Sequence, residues 1–393
     1  MAKKYHIRLA TQRDLDALLH LEMVAFESDR FTKDQINYLL TESRATSFVM
    51  ESGSTVVGAA CLLWRKSHHA ARLYNIAIDP AYQGQRLGLK LLKECEAEAA
   101  RRDCKKMTLE VRQDNQGGIR FYERQGYVFV RSMLDYYSDG MTGIKMSKDL
   151  NLKVPQKLKY DVPYYSQTLD FTCGPACLMM VLKHFLPQTE LTRAMEMRLW
   201  KEATLIFMAS GFAGTDGYGL ALSALNRGLS CRLIMSMDTT PMLRSVRTQK
   251  KRDVMKIVHS DMKRKARAAG LGNAVYDYDI DEIISALHRG MLPIVMISTY
   301  RLTGDKVPHW VVITGFDKKH VYIHDPDPDS YKHNLARARN LRIEKTEFHA
   351  MSRYGKEAYR CLLLLGGRRK KKIEKKAEKK VQPKTEEKSL VHV

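Results

Sequence analysis

The stretch Tyr165-Ser-Gln-Thr-Leu-Asp-Phe-Thr-Cys-Gly-Pro-Ala-Cys177 decides the fold predicted for the second half of the chain. Gln167 precedes Cys173 by six residues, and Cys173 opens an apolar stretch with helical character. A thiol at a helix N-terminus lies at the positive end of the peptide dipoles, which favours its thiolate form. Pro175 suits a first helical turn, where its missing N–H would have no acceptor. The stretch therefore predicts a nucleophilic thiol, with an amide nearby to stabilise an oxyanion.

A thiol nucleophile needs a base and a group that orients the base. His309 begins an apolar strand pattern, and Asp325 ends the next one, so adjacent strands would bring the two side chains together. His320 and His324 compete with His309 for this role. His324 directly precedes Asp325, and neighbours on a strand face opposite sides, so the geometry favours His309. Cys177 is expected to be a core residue one helical turn after Cys173, and no metal site is predicted.

The first half contains the segment Tyr82-Gln-Gly-Gln-Arg-Leu-Gly-Leu-Lys-Leu-Leu92, which joins a strand pattern to a helix pattern. Backbone N–H groups in such a turn, together with a helix N-terminus, form a cradle suited to a pyrophosphate. The absence of Gly-Lys-Ser/Thr and of Gly-x-Gly-x-x-Gly disfavours nucleoside triphosphate and dinucleotide loops. Taken alone, the segment is also compatible with an ordinary strand–helix turn.

A carboxylate and a phenol follow this segment. Glu110 lies on a predicted strand and Tyr122 on the next predicted helix. The carboxylate would take a proton from an amine, directly or through water, and the phenol would protonate a departing thiolate. Each residue alone is also compatible with a bland role, Glu110 as a surface strand residue and Tyr122 as a packing aromatic.

The chain has 393 residues and a formal net charge of +22, of which two segments hold most. Residues 368–393 carry a net +7 and residues 240–270 a net +8. Such blocks bind phosphates in a salt-dependent way, so weak contact with RNA or ribosomes is one interpretation, and solvated surface is the other. The seven cysteines are scattered without paired spacing, and no stretch has the pattern of a signal peptide or a membrane span. Both observations favour the cytoplasm, with no membrane partner.

Composition and periodicity divide the chain into four parts. They are an α/β domain over residues 1–150, a polar linker over 151–159, a second domain over 160–367 with a basic insert near 240–270, and a disordered basic tail over 368–393. In the first domain, residues 127–137 are predicted as the final strand. In the second, the last predicted strands span residues 292–299, 310–316 and 321–324.

The first domain resembles the GCN5-related N-acetyltransferases, especially the bacterial ribosomal-protein alanine N-acetyltransferases. The motifs are Asn75-Ile-Ala-Ile-Asp-Pro80, the loop after it, Leu109-Glu-Val-Arg112, Asn115 and Tyr122-Glu-Arg-Gln-Gly-Tyr127. The resemblance implies a mixed central sheet flanked by helices, acetyl-CoA as co-substrate, Glu110 as general base and Tyr122 as general acid. It also implies coenzyme contacts from Ile76, Ala77, Ile78, Gln83, Gly84, Gln85, Arg86, Leu87, Gly88, Leu89 and Asn115. Arg86 departs from the glycine that the family usually has there.

The second domain resembles the cysteine peptidases that trim double-glycine leaders from bacteriocin precursors and, more broadly, the papain-like peptidases. The motifs are Gln167 with Cys173-Gly-Pro-Ala-Cys177, His309-Trp-Val-Val-Ile-Thr-Gly-Phe-Asp317 and Asp325-Pro326. The resemblance implies an α+β papain-like domain, with Cys173 as nucleophile, His309 as base, Asp325 as its orienting group and Gln167 as oxyanion donor.

The sequence thus predicts a bifunctional cytoplasmic enzyme. One half would acetylate a peptide or protein N-terminus, and the other would cleave a peptide through a Cys-His-Asp triad. The alternative is a peptide-binding or ribosome-docking protein in which one catalytic half serves only for recognition.

Overall fold

The computed structural model describes residues 5–64, 70–151, 154–207, 212–331 and 335–368. The basic tail predicted for residues 368–393 lies outside these residues apart from Arg368, as do residues 152–153 of the predicted linker. Within the described residues, no helix is both long and apolar enough to cross a membrane.

The first half forms a seven-stranded sheet with the strand order β1-β2-β3-β4-β5-β7-β6. Neighbouring strands run antiparallel except for β4 and β5, which are parallel. Its elements are β1 (Tyr5–Leu9), α1 (Leu15–Ala25), α2 (Lys33–Thr41), β2 (Ala45–Ser52), β3 (Thr55–Trp64), β4 (Ala70–Ile78), α3 (Leu87–Arg101), β5 (Lys106–Arg112), α4 (Gln116–Arg124), β6 (Val128–Met133) and β7 (Gly143–Asp149).

Alternating side chains divide this sheet between two helical layers. Phe48 and Met50 of β2 belong to the core cluster that contains the apolar face of α3, whereas Val49 packs with α1 and α2 on the other side. This is the alternation expected of a strand whose two faces are both covered. The strand predicted over residues 127–137 is shorter, because β6 ends at Met133 and the chain turns before β7.

The second half forms an eight-stranded sheet, with the order β10-β9-β15-β11-β12-β13-β14 and β8 beside β12. Its elements are β8 (Leu158–Lys159), α5 (Cys173–Phe185), α6 (Arg193–Ala203), α7 (Gly217–Asn226), β9 (Leu229–Met235), α8 (Gln249–Ala268), β10 (Gly272–Val275), α9 (Ile280–His288), β11 (Leu292–Ser298), α10 (Tyr300–Thr303), β12 (Pro308–Phe316), β13 (His320–His324), α11 (Leu335–Ala338), β14 (Leu341–Glu344), α12 (Lys345–Met351) and β15 (Cys361–Arg368).

Helix α5 lies at the centre of the second core. Every residue from Cys173 to Leu182 is buried, so the helix is apolar on all sides, as a helix enclosed by protein must be. The sheet beside it is equally apolar, since Leu362 to Leu365 of β15 have no exposed surface. Strand β8 pairs with β12, so the second sheet begins before residue 160.

Buried charges connect the two halves. Glu98, near the end of α3, accepts hydrogen bonds from Arg289 at 2.7 Å and from the Ser285 hydroxyl at 2.7 Å. Arg102 donates to Glu282 of α9 at 2.7 Å and also bonds Glu98. Burial alone raises the pKa of Glu98, but the surrounding guanidinium groups lower it far below its usual value. The described halves therefore meet through a buried ionic network, in which Nε and Nη2 of Arg289 have no hydrogen-bond partner among the described residues.

Candidate active sites

Strands β4 and β5 pair as neighbours over only part of their length. The paired residues run from Ala70 opposite Lys106 to Leu73 opposite Leu109. Because β4 continues to Ile78 and β5 to Arg112, the two strands separate beyond this point. Ile76, Ala77 and Ile78 pair with β3 on one side and with no strand of the described structure on the side of the gap. An extended ligand can occupy that gap and use the free strand edge.

The loop after β4 leads into the N-terminus of α3. Gly84 and Arg86 have positive φ angles of 77° and 58°, a conformation that disfavours residues other than glycine. A glycine at position 86, as in the family that the first half resembles, would adopt this conformation without strain, whereas Arg86 adopts it with a Cβ. The Gln83 amide donates to the Ile78 carbonyl at 3.4 Å, and Gln85 accepts from the Tyr5 hydroxyl.

The first turn of α3 is open to an anion. No side chain caps the helix, and the first N–H groups of a helix have no acceptor within it. The amides of Leu87, Gly88 and Leu89 are therefore available at the positive end of the helix dipole. Apart from Gly84 itself and its two chain neighbours, no atom lies within 4 Å of the position that a Cβ on Gly84 would occupy. This arrangement fits the pyrophosphate of a coenzyme.

Glu110 lies on the opposite face of β5 from Leu109 and Val111, which enter the core next to α3. Its carboxylate is 2.7 Å from the Arg72 guanidinium and 3.3 Å from the Lys145 ammonium group. Arg72 and Lys145 also line a groove of about 830 Å³ between α2 and the sheet. The carboxylate that the sequence predicts as a base is thus held by two cations at the edge of a groove large enough for a ligand.

Tyr122 lies on α4 and belongs to the core cluster that contains Leu109 and Val111. Its ring packs edge-to-face against Phe121 and Tyr127, and only 8% of the residue is exposed. Burial raises the pKa of its phenol well above the usual value, so the hydroxyl is protonated at neutral pH and gives up its proton less readily than an exposed phenol. Asn115 caps α4 by accepting from the Gly118 amide at 2.8 Å. The predicted coenzyme contact of Asn115 would be additional to this capping role.

The second site brings together three residues that are distant in sequence. Cys173 is the first residue of α5, His309 lies on β12, and Asp325 follows β13. Nε2 of His309 is 2.7 Å from Oδ1 of Asp325, and the Cys173 thiol is within hydrogen-bonding reach of the same ring. All three residues are at least nine-tenths buried. The order thiol, imidazole, carboxylate is that of a nucleophile, a base and an orienting group.

The electrostatics of this group favour a charged imidazole. Burial by itself lowers the pKa of His309, but Asp325 and Cys173 outweigh it and raise that pKa well above its usual value. Burial likewise acts to raise the pKa of Asp325, and His309 reverses this effect, so the carboxyl stays ionised. The charged imidazole and the Cys173 sulfur are thus neighbours in a buried site.

Asp325 is held by further donors. The Tyr331 hydroxyl donates to its Oδ2 at 2.8 Å, and the Asp327 amide donates to its Oδ1 at 3.0 Å. His324 has other partners, since its ring contacts the Val162 carbonyl at 2.9 Å and accepts from the Asn340 amide at 3.0 Å. The structure therefore places His309, and not His324, beside Asp325.

Gln167 lies in the loop before α5. Its backbone amide donates to the Pro326 carbonyl at 2.8 Å, which fixes the loop beside the residue that follows Asp325. Its side-chain Oε1 is buried and has no partner among the described residues. The backbone of Gln167 is thus fixed beside Pro326, whereas its side chain is not held in place by a hydrogen bond at Oε1.

Several residues of these sites carry no signal in the sequence. Arg72, Lys145, Tyr331 and the buried Glu196 act through contacts that only the folded chain creates.

A second buried pair, His259 with Asp216 at 2.8 Å, fixes the basic helix α8 to the start of α7. Within the described residues, no cluster of three or more His, Cys, Asp or Glu side chains could hold a metal ion.

All seven cysteines lie in the described residues and are free and buried. Burial raises the pKa of Cys61 to about 11 and that of Cys104 to about 12. Burial also raises the pKa of Cys95, Cys177, Cys231 and Cys361 well above the usual value. Cys177 donates to the Trp310 carbonyl at 3.2 Å, as expected for a core thiol.

Comparison with known proteins identifies relatives of the first half. The Acetyltransferase (GNAT) family matches residues 14–127. A Bacillus subtilis protein whose name designates a ribosomal protein bS18 alanine N-acetyltransferase is 27% identical over 139 residues, 35% of this chain and 91% of the relative. The Escherichia coli ribosomal protein bS18 alanine N-acetyltransferase is 40% identical over 67 residues, 17% of this chain and 45% of the relative.

The crystal structure of the ribosomal-protein-S18-alanine N-acetyltransferase from Escherichia coli aligns with 38% of this chain and 97% of its own, at 27% identity and a TM-score of 0.35. GNAT acetyltransferases use acetyl-CoA as their co-substrate, and the uncapped start of α3 beside the strand gap fits that molecule.

The second half is matched by a different family. The family described as Peptidase_C39 like matches residues 162–366, which is more than half of the chain and includes Cys173, His309 and Asp325. This protein therefore belongs to the Peptidase_C39 like family, and it carries before that region a GNAT acetyltransferase domain close to the ribosomal-protein alanine N-acetyltransferases.

Proposed function

We propose that the chain is a cytoplasmic bifunctional enzyme that acetylates the α-amine of a protein N-terminus and cleaves a peptide through Cys173. The names of the relatives suggest an acceptor that begins with alanine, of the kind found on a ribosomal protein. The strand gap beyond Leu73 and Leu109 is the observation that supports the acetyltransferase part, because Glu110 follows Leu109 at the start of the gap and β4 leads along it to the coenzyme loop.

In the acetyl transfer, acetyl-CoA supplies a thioester whose C–S bond breaks as the C–N bond to the acceptor amine forms. Glu110 accepts the proton that the amine releases, directly or through a water molecule. Arg72 and Lys145 fix the orientation of this carboxylate at the groove. Tyr122, whose phenol is protonated at neutral pH, gives its proton to the departing sulfur. The amides of Leu87, Gly88 and Leu89 bind the pyrophosphate, and Ile76 to Ile78 bind the extended arm.

In the peptide cleavage, the Cys173 sulfur attacks the carbonyl carbon and a C–S bond forms. The C–N bond breaks, and the imidazolium of His309 gives its proton to the departing amine. Water then attacks the acyl carbon and gives a proton to His309, and the C–S bond breaks, which restores the thiolate and the imidazolium. The Gln167 amide donates to the oxyanion that forms in both steps, and Asp325 holds the ring in place.

The acetyl transfer is tested with the full-length protein, labelled acetyl-CoA and short peptides that begin with alanine. We expect label on the α-amine of the free peptide and none on the same peptide with a blocked N-terminus. The Tyr122→Phe and Glu110→Gln variants should bind acetyl-CoA in calorimetry and transfer it slowly. Failure of the wild-type protein to bind acetyl-CoA would remove this half of the proposal.

The peptide cleavage is tested through the thiol. Iodoacetamide should alkylate Cys173 faster than free cysteine at neutral pH, because the imidazolium stabilises the thiolate. The His309→Ala variant should lose this advantage, while the His324→Ala variant tests the neighbouring histidine as a matched control. A wild-type rate no higher than that of free cysteine contradicts the triad.

The alternative function is peptide recognition combined with docking on RNA, and helix α8 favours it. Lys250, Lys251 and Lys256 are exposed on this 20-residue helix, whereas Met255, His259 and Met262 are buried against the domain. Replacement of the three lysines by glutamine should weaken binding to ribosomal RNA and flatten its dependence on salt. Unchanged binding would exclude α8 as the docking surface.

A further inference from the structure

Glu196 is a carboxylate that the catalytic steps above do not use. It lies on α6, has no exposed surface, and has no Lys, Arg or His in ion-pair range among the described residues. A buried carboxylate without a counter-charge is costly unless hydrogen bonds satisfy its oxygens. Glu196 has four such bonds, and every donor belongs to the segment between Tyr165 and Thr172.

The four donors divide equally between the two oxygens. Oε1 accepts from the Thr168 amide at 2.8 Å and from the Thr172 hydroxyl at 2.5 Å. Oε2 accepts from the Thr168 hydroxyl at 2.7 Å and from the Tyr165 hydroxyl at 3.0 Å. Thr168 directly follows Gln167, and Thr172 is the residue before Cys173. One carboxylate thus holds the chain on both sides of the predicted oxyanion donor and immediately before the predicted nucleophile.

The same segment is fixed from the opposite direction. The Gln167 amide donates to the Pro326 carbonyl, and Pro326 follows the triad residue Asp325. Gln167 is therefore clamped between Glu196 on α6 and the chain after β13. Since its Oε1 has no partner among the described residues, the backbone clamp sets where this side chain lies.

We propose that Glu196 is a positioning residue for the thiol site, which sets the distance between the Gln167 amide and the Cys173 sulfur by accepting hydrogen bonds from Thr168 and Thr172. This inference rests on the proposed function of Cys173. Glu196 touches neither substrate nor reacting atoms, so its effect passes through Gln167. Misplacement by about 1 Å of a group that contacts the transition state can reduce a rate about 100-fold.

The test compares two reactions of the same sulfur in the full-length protein. Acylation by p-nitrophenyl acetate forms an oxyanion, as the sulfur gains the acetyl group and p-nitrophenolate departs. Alkylation by iodoacetamide displaces iodide and forms no oxyanion. The first is followed by the burst of p-nitrophenolate and by the mass of the acetylated Cys173 peptide, with Cys173→Ala as blank. The second is followed by the mass of the alkylated peptide.

In Glu196→Gln, one carbonyl oxygen and one NH₂ group replace two acceptors, so at least one donor from the segment loses its partner. We expect acylation to fall about 100-fold, while alkylation stays close to the wild-type rate. Glu202→Gln is the matched control, because Glu202 lies on the same helix and pairs with Arg227 at the surface. It should leave both rates unchanged. Equal loss of both reactions in Glu196→Gln, or no loss, overturns the inference.

A second variant protects the test against misfolding. Thr168→Val removes one hydroxyl donor at an exposed position and leaves the carboxylate in place. It should lower acylation in the same selective way, by a smaller factor. An unchanged ratio of the two rates in Thr168→Val contradicts the inference. If the wild-type protein shows neither a burst nor fast alkylation, the proposed thiol function is wrong and the inference fails with it. If the wild-type protein shows both and only the variants behave otherwise than expected, the inference alone is wrong.

Discussion

Nε2 of His309 lies 2.7 Å from Oδ1 of Asp325, and this contact leaves Nδ1 of the same ring for the Cys173 thiol. The second carboxylate oxygen accepts from the Tyr331 hydroxyl at 2.8 Å, so the aspartate cannot turn away from the ring. The two strands that carry these residues pair directly, with Val312 of β12 opposite His324 of β13. Sheet register therefore fixes the base, and the thiol comes to it from α5.

Asp325→Asn should shift the pH dependence of Cys173 acylation. Burial lowers the pKa of His309, and Asp325 is the first of the contributions that raise it, so loss of this charge lowers that pKa. The imidazolium exists below this pKa, and the alkaline limb of the rate profile should therefore move to lower pH. The maximal rate should fall by about 100-fold or more. Asp317→Asn, which alters the surface pair with His320, is the control and should leave the profile unchanged.

Tyr122→Phe should slow acetyl transfer without weakening the binding of acetyl-CoA. The variant removes the proton donor but keeps the ring that packs against Phe121 and Tyr127. General acid catalysis contributes about 10²- to 10⁴-fold, and the turnover number should fall within that range. Steady-state rates and calorimetry on the same protein measure the two effects. Tyr137→Phe serves as control, and an active Tyr122→Phe enzyme would rule out the phenol as the acid.

Arg86→Gly should stabilise the fold relative to Arg86→Ala. The φ angle of 58° at Arg86 is unfavourable for any residue with a Cβ, by about 1 kcal/mol or somewhat more. Glycine removes this strain and alanine keeps it, so urea unfolding should separate the two variants by about 1 kcal/mol. Both variants lose the guanidinium, so their affinities for acetyl-CoA should be similar. Equal stability of the two variants would contradict the left-handed geometry.

Glu282→Leu should destabilise both halves together. It leaves Arg102 with one buried carboxylate partner instead of two. Removal of one partner from a buried ion pair costs about 3 kcal/mol or more. Unfolding followed through tryptophan fluorescence should show one transition at lower urea, since Trp64 stacks on Arg102 in one half while Trp200 and Trp310 lie in the other.

The double variant Arg102→Leu with Glu282→Leu removes both charges of this contact. It carries the same leucine at position 282 as the single variant, so the two proteins differ only at position 102. It should recover part of the lost stability at the contact with α9. Two well-separated unfolding transitions in the wild-type protein would contradict a tightly joined pair of domains.

Local sequence patterns predicted a substantial part of this architecture, because strand alternation and helix starts depend on neighbouring residues. The helix after Gly84 and the strands that carry Glu110 and His309 lie where the periodicity places them. Strand β15 was missed, since the run Leu362 to Leu365 does not alternate and does not distinguish a strand from a buried helix. Its place in the middle of the second sheet depends on contacts with β9 and β11.

In the candidate sites, too, local patterns predict some features, and contacts between distant segments create the others. The types and spacing of the reacting residues can be read from the chain, but the groups that hold them cannot. Arg72 is 38 residues before Glu110, and Glu196 is 28 residues after Thr168, so no local pattern connects them. Their roles arise when sheet register and helix packing bring distant segments together. The assignment of each reacting residue remains a prediction for the experiments described above.

Because all seven cysteines are free and buried, a thiol titration can count the folded molecules in a sample. Six of them have a pKa raised by burial and should remain protonated and unreactive in the native fold. A stoichiometric thiol reagent should therefore consume one equivalent per folded molecule, and the remaining six only after denaturant is added. Such a titration would report the fraction of competent enzyme in a preparation, and it would do so before any natural peptide is known.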